Sequence, residues 1–115
     1  MSQAKSKHAS DREMTSALLH ALHHPVRRQI LRVLHEEGVA QSPSELSRKL
    51  SPTGLSRLSF HARVLCVLKV TECTSTRQVR GSTEHFYASN VSGNELVAAI
   101  LRETEADDAS LGAAG

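Results

Sequence analysis

The stretch that decides the fold is residues 42–88, SPSELSRKLSPTGLSRLSFHARVLCVLKVTECTSTRQVRGSTEHFYA. It opens with Ser42-Pro43-Ser44-Glu45, a capping box with proline at the first helical position, which is a strong local signal for a helix start. This helix, the third of the chain, is expected to run to about Leu50 with Leu46 and Leu50 inward. Ser51-Pro52-Thr53-Gly54 breaks it. A fourth helix follows, with Leu55, Leu58, Ala62 and Leu65 at helical spacing, reaching about Leu68. From Val70 to Val79 the composition turns to Val, Thr, Cys and Ser. Arg80-Gly81-Ser82-Thr83 makes a turn and His85-Phe86-Tyr87-Ala88 returns, which reads as a β-hairpin.

On the N-terminal side, Ser10 with Glu13 makes another capping box. Met14, Leu18 and Leu22 fall on one stripe beside Ala17 and Ala21, so a first helix is predicted over residues 11–23. Pro25 begins a second, burying Val26, Ile30, Val33 and Leu34 and stopping at Gly38. On the C-terminal side a box at Ser92 and Glu95 opens a fifth, burying Leu96, Val97, Ile100 and Leu101 and fading near Glu105. Residues 10–106 thus read as one domain between small or polar tails, 1–9 and 107–115, expected to be disordered. The fold class is mainly α with a small β-hairpin. Five helices plus a wing, in this order, make a winged helix-turn-helix.

Composition narrows the function. A 39% hydrophobic content with two Phe, one Tyr and no Trp implies an aliphatic core, and disfavours an aromatic surface for stacking single-stranded bases. No apolar run approaches the roughly 18 residues of a membrane span, and residues 1–10 are polar with no signal-peptide core, so the chain is expected in the cytoplasm and away from membranes. Two cysteines are too few for a secreted disulfide framework. Charge is unevenly placed. Residues 48–80 hold seven cations, at 48, 49, 57, 63, 69, 77 and 80, against Glu72 alone, whereas residues 81–115 hold Arg102 against Glu84, Glu95, Glu103, Glu105, Asp107 and Asp108. One part should attract a polyanion, and an unevenly charged soluble surface is the plain alternative.

On a helical wheel Leu58, Ala62 and Leu65 face inward with His61 at the rim, and Ser56, Arg57, Ser59, Phe60 and Arg63 face outward or to the side. The second helix of a helix-turn-helix enters the major groove of duplex DNA. Arg57 or Arg63 then suits a bidentate contact to guanine, Ser56 or Ser59 a phosphate or base, and Phe60 a thymine methyl or the hairpin. Arg77 and Arg80, near the hairpin tip, suit the minor groove or its phosphates, and Arg48 and Lys49 a secondary phosphate contact or a favourable helix-end charge. Leu18, Leu22, Leu96 and Ile100 are expected to form a homodimer surface through helices 1 and 5. The reading is therefore a dimeric, sequence-specific regulator binding double-stranded DNA. The alternatives are a winged-helix protein-interaction module and a metal- or thiol-responsive sensor on the same fold.

Three segments carry a family resemblance. Ala21-Leu22-His23-His24-Pro25-Val26-Arg27-Arg28-Gln29-Ile30-Leu31, Leu58-Ser59-Phe60-His61-Ala62-Arg63-Val64-Leu65, and Arg80-Gly81 through Glu84-His85-Phe86-Tyr87 resemble the opening, recognition helix and wing of ArsR-type winged-helix regulators. The likeness spans about residues 12–101. It implies a homodimer built from the first and last helices, acting on transcription at a near-palindromic operator. Three departures stand out. Lys69 occupies the family's usual helix-ending glycine, so a less regular cap is expected. The turn between Leu50 and Leu58 is one residue longer than usual. Ser44-Glu45-Leu46-Ser47-Arg48-Lys49-Leu50 lacks the paired cysteines of the metal sensors.

Seven histidines invite a metal reading, but His20 and His24 are separated from a shared register by Pro25, and Cys66 and Cys73 lie on different elements. No metal or cofactor is expected. His35 reads as a favourable charge near a helix end and Cys66 as a small packing residue. With no phosphate loop, nucleophile elbow or convergent carboxylate pair, an enzyme is not expected either.

Overall fold

The structure, a computed structural model, describes the backbone of residues 2–114 and the side chains of residues 11–110. Within it α1 (Ser2–Leu22), α2 (Pro25–Glu37), α3 (Pro43–Lys49) and α4 (Leu55–Val67) precede an antiparallel hairpin, β1 (Thr71–Val79) and β2 (Ser82–Ser89), and α5 (Glu95–Ala114) closes the order. The described chain is mainly helical with one small sheet, an architecture compatible with a winged helix.

Each boundary has a local cause. His24 caps α2 by accepting the Val26 N–H on Nδ1 at 3.1 Å, Pro25 takes the first helical position, and Gly38, at φ 69°, donates its N–H to the Leu34 carbonyl at 3.0 Å. The Ser42–Glu45 box is reciprocal: Ser42 Oγ accepts the Glu45 N–H at 3.2 Å and Glu45 accepts the Ser42 N–H at 3.0 Å. Residues 50–54 form the turn to α4, where the Thr53 N–H donates to the Leu50 carbonyl. Helix α4 stops at Val67, one residue before the expected end, in a full Schellman motif. Val70 N–H donates to Leu65 C=O and Lys69 N–H to Cys66 C=O, both at 3.0 Å, while Val70 and Leu65 are both fully buried. The cap is thus regular despite Lys69, which adopts the left-handed φ of 63° usually left to glycine. Arg80 at φ 49° and Gly81 at φ 83° form the two-residue hairpin turn, whose positive φ values match the right-handed twist of the strands.

The core is aliphatic, as the composition implied. Ile30 and Leu31 of α2, Leu46 of α3, Leu58 and Leu65 of α4, Val70 and Val97 are all fully buried, with Leu18, Ala21 and Leu22 of α1 packed against them. Leu55 departs from its expected inward place and is 50% exposed, because it stands in the first turn of α4 outside the stripe of Leu58, Ala62 and Leu65. Met14 is likewise exposed at the outer end of the α1 stripe.

Both terminal helices differ from expectation. Helix α1 already includes Ser10, so it does not start there, and the Ser10 side chain needed for the expected box lies outside the described residues. Helix α5 is capped by Asn94, not Ser92: Asn94 Oδ1 accepts the Val97 N–H at 3.0 Å. It also passes Glu105 and runs to Ala114, so residues 107–114 of the expected disordered tail are helical. Asp108 anchors this extension to α2: it is buried, and its carboxylate accepts Arg28 Nε at 2.9 Å, Arg28 Nη2 at 2.7 Å and Arg32 Nη2 at 3.1 Å. Gln29 Nε2 donates to the Asp108 carbonyl as well. Two arginines four apart on α2 lie on one helix face, and together they receive the acid. Burial pushes the Asp108 carboxyl up, but the Arg28 and Arg32 hydrogen bonds and charges outweigh it and hold it below its ordinary value. The Asp108 hydrogen bond in turn raises Arg28.

Candidate nucleic-acid interface

The hairpin is seated by residues immediately before α3. Gln41 and Tyr87 exchange both backbone hydrogen bonds at 2.9 Å, adding a one-residue bridge to the free edge of β2. At the other end Asn90 donates from its backbone to Val70 C=O and from Nδ2 to Lys69 C=O. Between these anchors Ser42 Oγ donates to Glu84 Oε2 at 2.5 Å, so the residue that caps α3 also holds β2. An extra residue in β1, between Cys73 and Ser75, shifts the register and bends the strand.

The outward face of α4 is uncovered. Ser56, Arg57 and Arg63 are exposed, Phe60 is 56% exposed, and Ser59 is half-buried. Val67, two helical turns beyond Phe60, is 74% exposed and extends the same face, outside the expected set of residues 56–63. Leu55, Ser59 and Arg63 of this helix line a cleft of about 370 Å³ with Pro43 and Ser44 of α3 and with Val79, Ser82, Thr83, Glu84, His85 and Tyr87 of the hairpin. Two parts of the expected site, α4 and the hairpin tip, therefore open onto one space.

The cations of this region meet different fates. Arg48, Arg57, Arg63 and Arg80 are exposed with no carboxylate within ion-pair distance among the described residues. Lys49, expected at a helix-end dipole or a phosphate, instead bridges Glu37 at 2.7 Å and Gln41 at 3.0 Å, fastening α3 to the end of α2. Arg77 donates twice to Glu84 Oε1, from Nε at 3.1 Å and Nη2 at 2.7 Å, and its guanidinium stands 5.7 Å from the Phe86 ring centre. The Ser42 hydrogen bond, then that of Arg77, holds the Glu84 carboxyl below its ordinary value, so it stays ionised. Glu84, 12% exposed as a side chain, neutralises a cation counted at sequence level as free.

Behind the open face, His61 is buried and not at a rim. Its ring lies 4.2 Å from that of His24, and its Nδ1 accepts from Arg27 Nε at 3.3 Å, while Arg27 Nη1 reaches His20 C=O at 2.7 Å. Burial lowers the His61 pKa to about 4, helped by His24, Arg27 and Arg57, and burial followed by the neighbouring arginines lowers His24. Two neutral rings thus carry α4 on the start of α2. His35, expected as a helix-end charge, is half-buried, bonds Ser89 Oγ at 2.8 Å and is pushed down by burial toward its neutral form.

Of the four residues assigned to a dimer surface, Leu18 and Leu22 are buried in the chain's own core and Ile100 packs against it, leaving Leu96 at 65% exposure. The late start of α5 places Leu96 in its first turn, exposed and not buried as expected, while Val97 beside it is fully buried. Other exposed apolar side chains of α1 are Met14 and Leu19. Among the described residues no group of three or more His, Cys, Asp or Glu stands close enough to hold a metal ion, and no helix is long and apolar enough to cross a membrane. No protein-family model matches the chain, and no curated protein is significantly similar to it.

Proposed function

We propose that the chain is a non-enzymatic, sequence-specific regulator of transcription that binds double-stranded DNA as a winged helix-turn-helix of the ArsR type. In this reading it acts in the cytoplasm, where its two free thiols stay reduced. Helices α3 and α4 are the helix-turn-helix, α4 enters the major groove, and the hairpin is the wing on the flanking backbone or minor groove. The observation that carries this reading is the shared cleft: Ser59 and Arg63 of α4 face the same space as the hairpin tip, with Arg48, Arg57, Arg63 and Arg80 free of carboxylates among the described residues. A duplex is a rod of regularly spaced phosphates, and uncompensated cations on α4 and at the hairpin tip suit it. Arg63 and Arg57 suit base edges, and Arg80 suits phosphate. With Leu18 and Leu22 buried, the apolar side chains left on the terminal helices for contact with a second copy are Leu96 of α5 and, on different faces of α1, Met14 and Leu19.

Selection of bound sequences from a random duplex pool tests the reading, with a near-palindromic consensus expected. On that operator Arg63→Ala weakens affinity by roughly 5- to 150-fold, the loss of about 1–3 kcal/mol that a bidentate base contact carries. A change under twofold rejects the assigned face. A second reading, a winged-helix module that docks an acidic protein, is favoured by the exposed Phe60 and Val67 on the same face. Retardation of random duplex at low salt separates the two, since the docking module gives none.

A further inference from the structure

The most acidic point of the cleft lies where a phosphate-binding surface is least expected to have one. Glu84 lines it together with Arg63, Ser82 and Thr83, and both of its oxygens are engaged, Oε2 by the Ser42 hydroxyl and Oε1 by two nitrogens of Arg77. Arg77 is 66% exposed as a side chain, so this geometry is held by its partners and not by enclosure. Glu84 pairs directly across the hairpin with Arg77, and their neighbours Phe86 and Ser75 also pair, which places the guanidinium along the Phe86 ring. Ser42 is itself fully buried at the start of α3 and cannot turn away.

We propose that Glu84 is a specificity-determining residue of the wing, which withholds Arg77 from the DNA backbone and so keeps binding dependent on the side chains of α4. The inference rests on the duplex-binding reading above. A phosphate-contacting cation adds affinity for every sequence alike, whereas base contacts add it for one. With Arg77 held, the wing offers Arg80 alone at its tip, and the ratio of specific to non-specific binding is higher than the seven cations of residues 48–80 imply. The same carboxylate joins the wing to α3 through Ser42, so wing and helix-turn-helix present themselves to the duplex as one body.

The test is a double-mutant cycle on random-sequence duplex, read as the slope of log affinity against log salt concentration. Glu84→Gln keeps an oxygen for the Ser42 hydroxyl while removing the charge that holds Arg77. It steepens the slope by about one unit, the value of one added phosphate contact, and raises non-specific affinity severalfold at low salt. Arg77→Ala leaves the slope of the otherwise unchanged protein nearly as it was, but removes the added unit in the Glu84→Gln background. This non-additivity separates release of Arg77 from simple loss of a repelling charge, for which Arg77→Ala has the same effect in both backgrounds. Tyr87, the one tyrosine in a chain without tryptophan, reports by its fluorescence that the hairpin remains seated in each variant. An unchanged slope in Glu84→Gln, or additivity in the cycle, overturns the inference while leaving duplex binding intact. Failure of the unsubstituted protein to bind duplex at low salt removes the reading it rests on as well.

Discussion

Asp108 and Glu84 are both largely withdrawn from water and each binds arginine, but the arginines they bind differ widely in exposure. Asp108 has no exposed side-chain surface, and Arg28 and Arg32 retain 15% and 13% of theirs, whereas Arg77 beside Glu84 retains 66%. Charges removed from water must be matched inside the protein, and removing one strands the others; an exposed charge is taken up again by solvent. The same pair of chemical groups therefore fastens α5 to α2 at one corner and, at the hairpin, sets the direction of a single side chain.

The largest expected effect probes the buried corner. Asp108→Ala lowers the unfolding free energy by about 3–5 kcal/mol in denaturant titration, because Arg28 and Arg32 are left with uncompensated charge. Arg77→Ala costs less than about 1 kcal/mol, because Glu84 keeps the Ser42 hydroxyl and the lost partner is exposed, and equal losses at the two sites would erase the distinction. The next effect concerns a buried group that can discard its charge. His61 titrates at about 4 when folded and 6.5 when free, so the unfolded chain takes up the proton first. Its contribution is complete above pH 6.5 and is lost as pH falls toward 4, by roughly 3 kcal/mol. Lowered His24 and His35 add to the loss in the same direction. Asp108, also lowered, contributes its own loss only below the ordinary carboxyl value of 3.8. Stability measured between pH 7 and 4 falls less steeply in His61→Gln, and parallel curves would take His61 out of this account. The smallest effect is at the α4 cap. Lys69→Gly relieves the left-handed strain and raises stability by about 0.5–1 kcal/mol, offset in part by the greater freedom of glycine when unfolded. A loss there would mean that the lysine stem packs against something worth more than the strain.

Much of the fold was legible wherever the signal is local. Pro25, the Ser42–Glu45 box and Gly38 act within a few residues, and α2 and α3 form where they stand, while the turn expected over residues 80–83 closes in two residues because Ser82 and Thr83 already pair with Val79 and Gln78. The boundaries of α5 were not legible for the same reason in reverse. Ser92 and Asn94 are both good caps by residue type, so local signals do not choose between them, and in the structure Asn94 caps the turn that carries the buried Val97. Residues 107–115 read as a loose tail because small and polar side chains carry no periodic apolar signal, while Asp108 finds its partner on another helix. In the candidate site the outward order of Ser56, Arg57, Phe60 and Arg63 follows from the helical period. That Arg77 and Lys49 are paired does not, since Glu84 and Glu37 approach them only when the hairpin closes and α3 meets α2. The stripe of Leu18 and Leu22 shows that a face of α1 is covered without saying by what, and the chain's own core, not a second copy, covers it.

By itself the sequence determined where most helices and the hairpin begin, which face of α4 is polar and that the core is aliphatic. Capping, turn and periodicity signals act over one or two helical turns and need no distant partner. Only the tertiary structure decided which charges neutralise one another and which remain outward. Arg28 and Asp108 lie 80 residues apart, and Ser42 and Glu84 lie 42 apart. Pairing over such separations depends on how the elements pack, and packing sets the desolvation that makes one ion pair structural and leaves another at the surface.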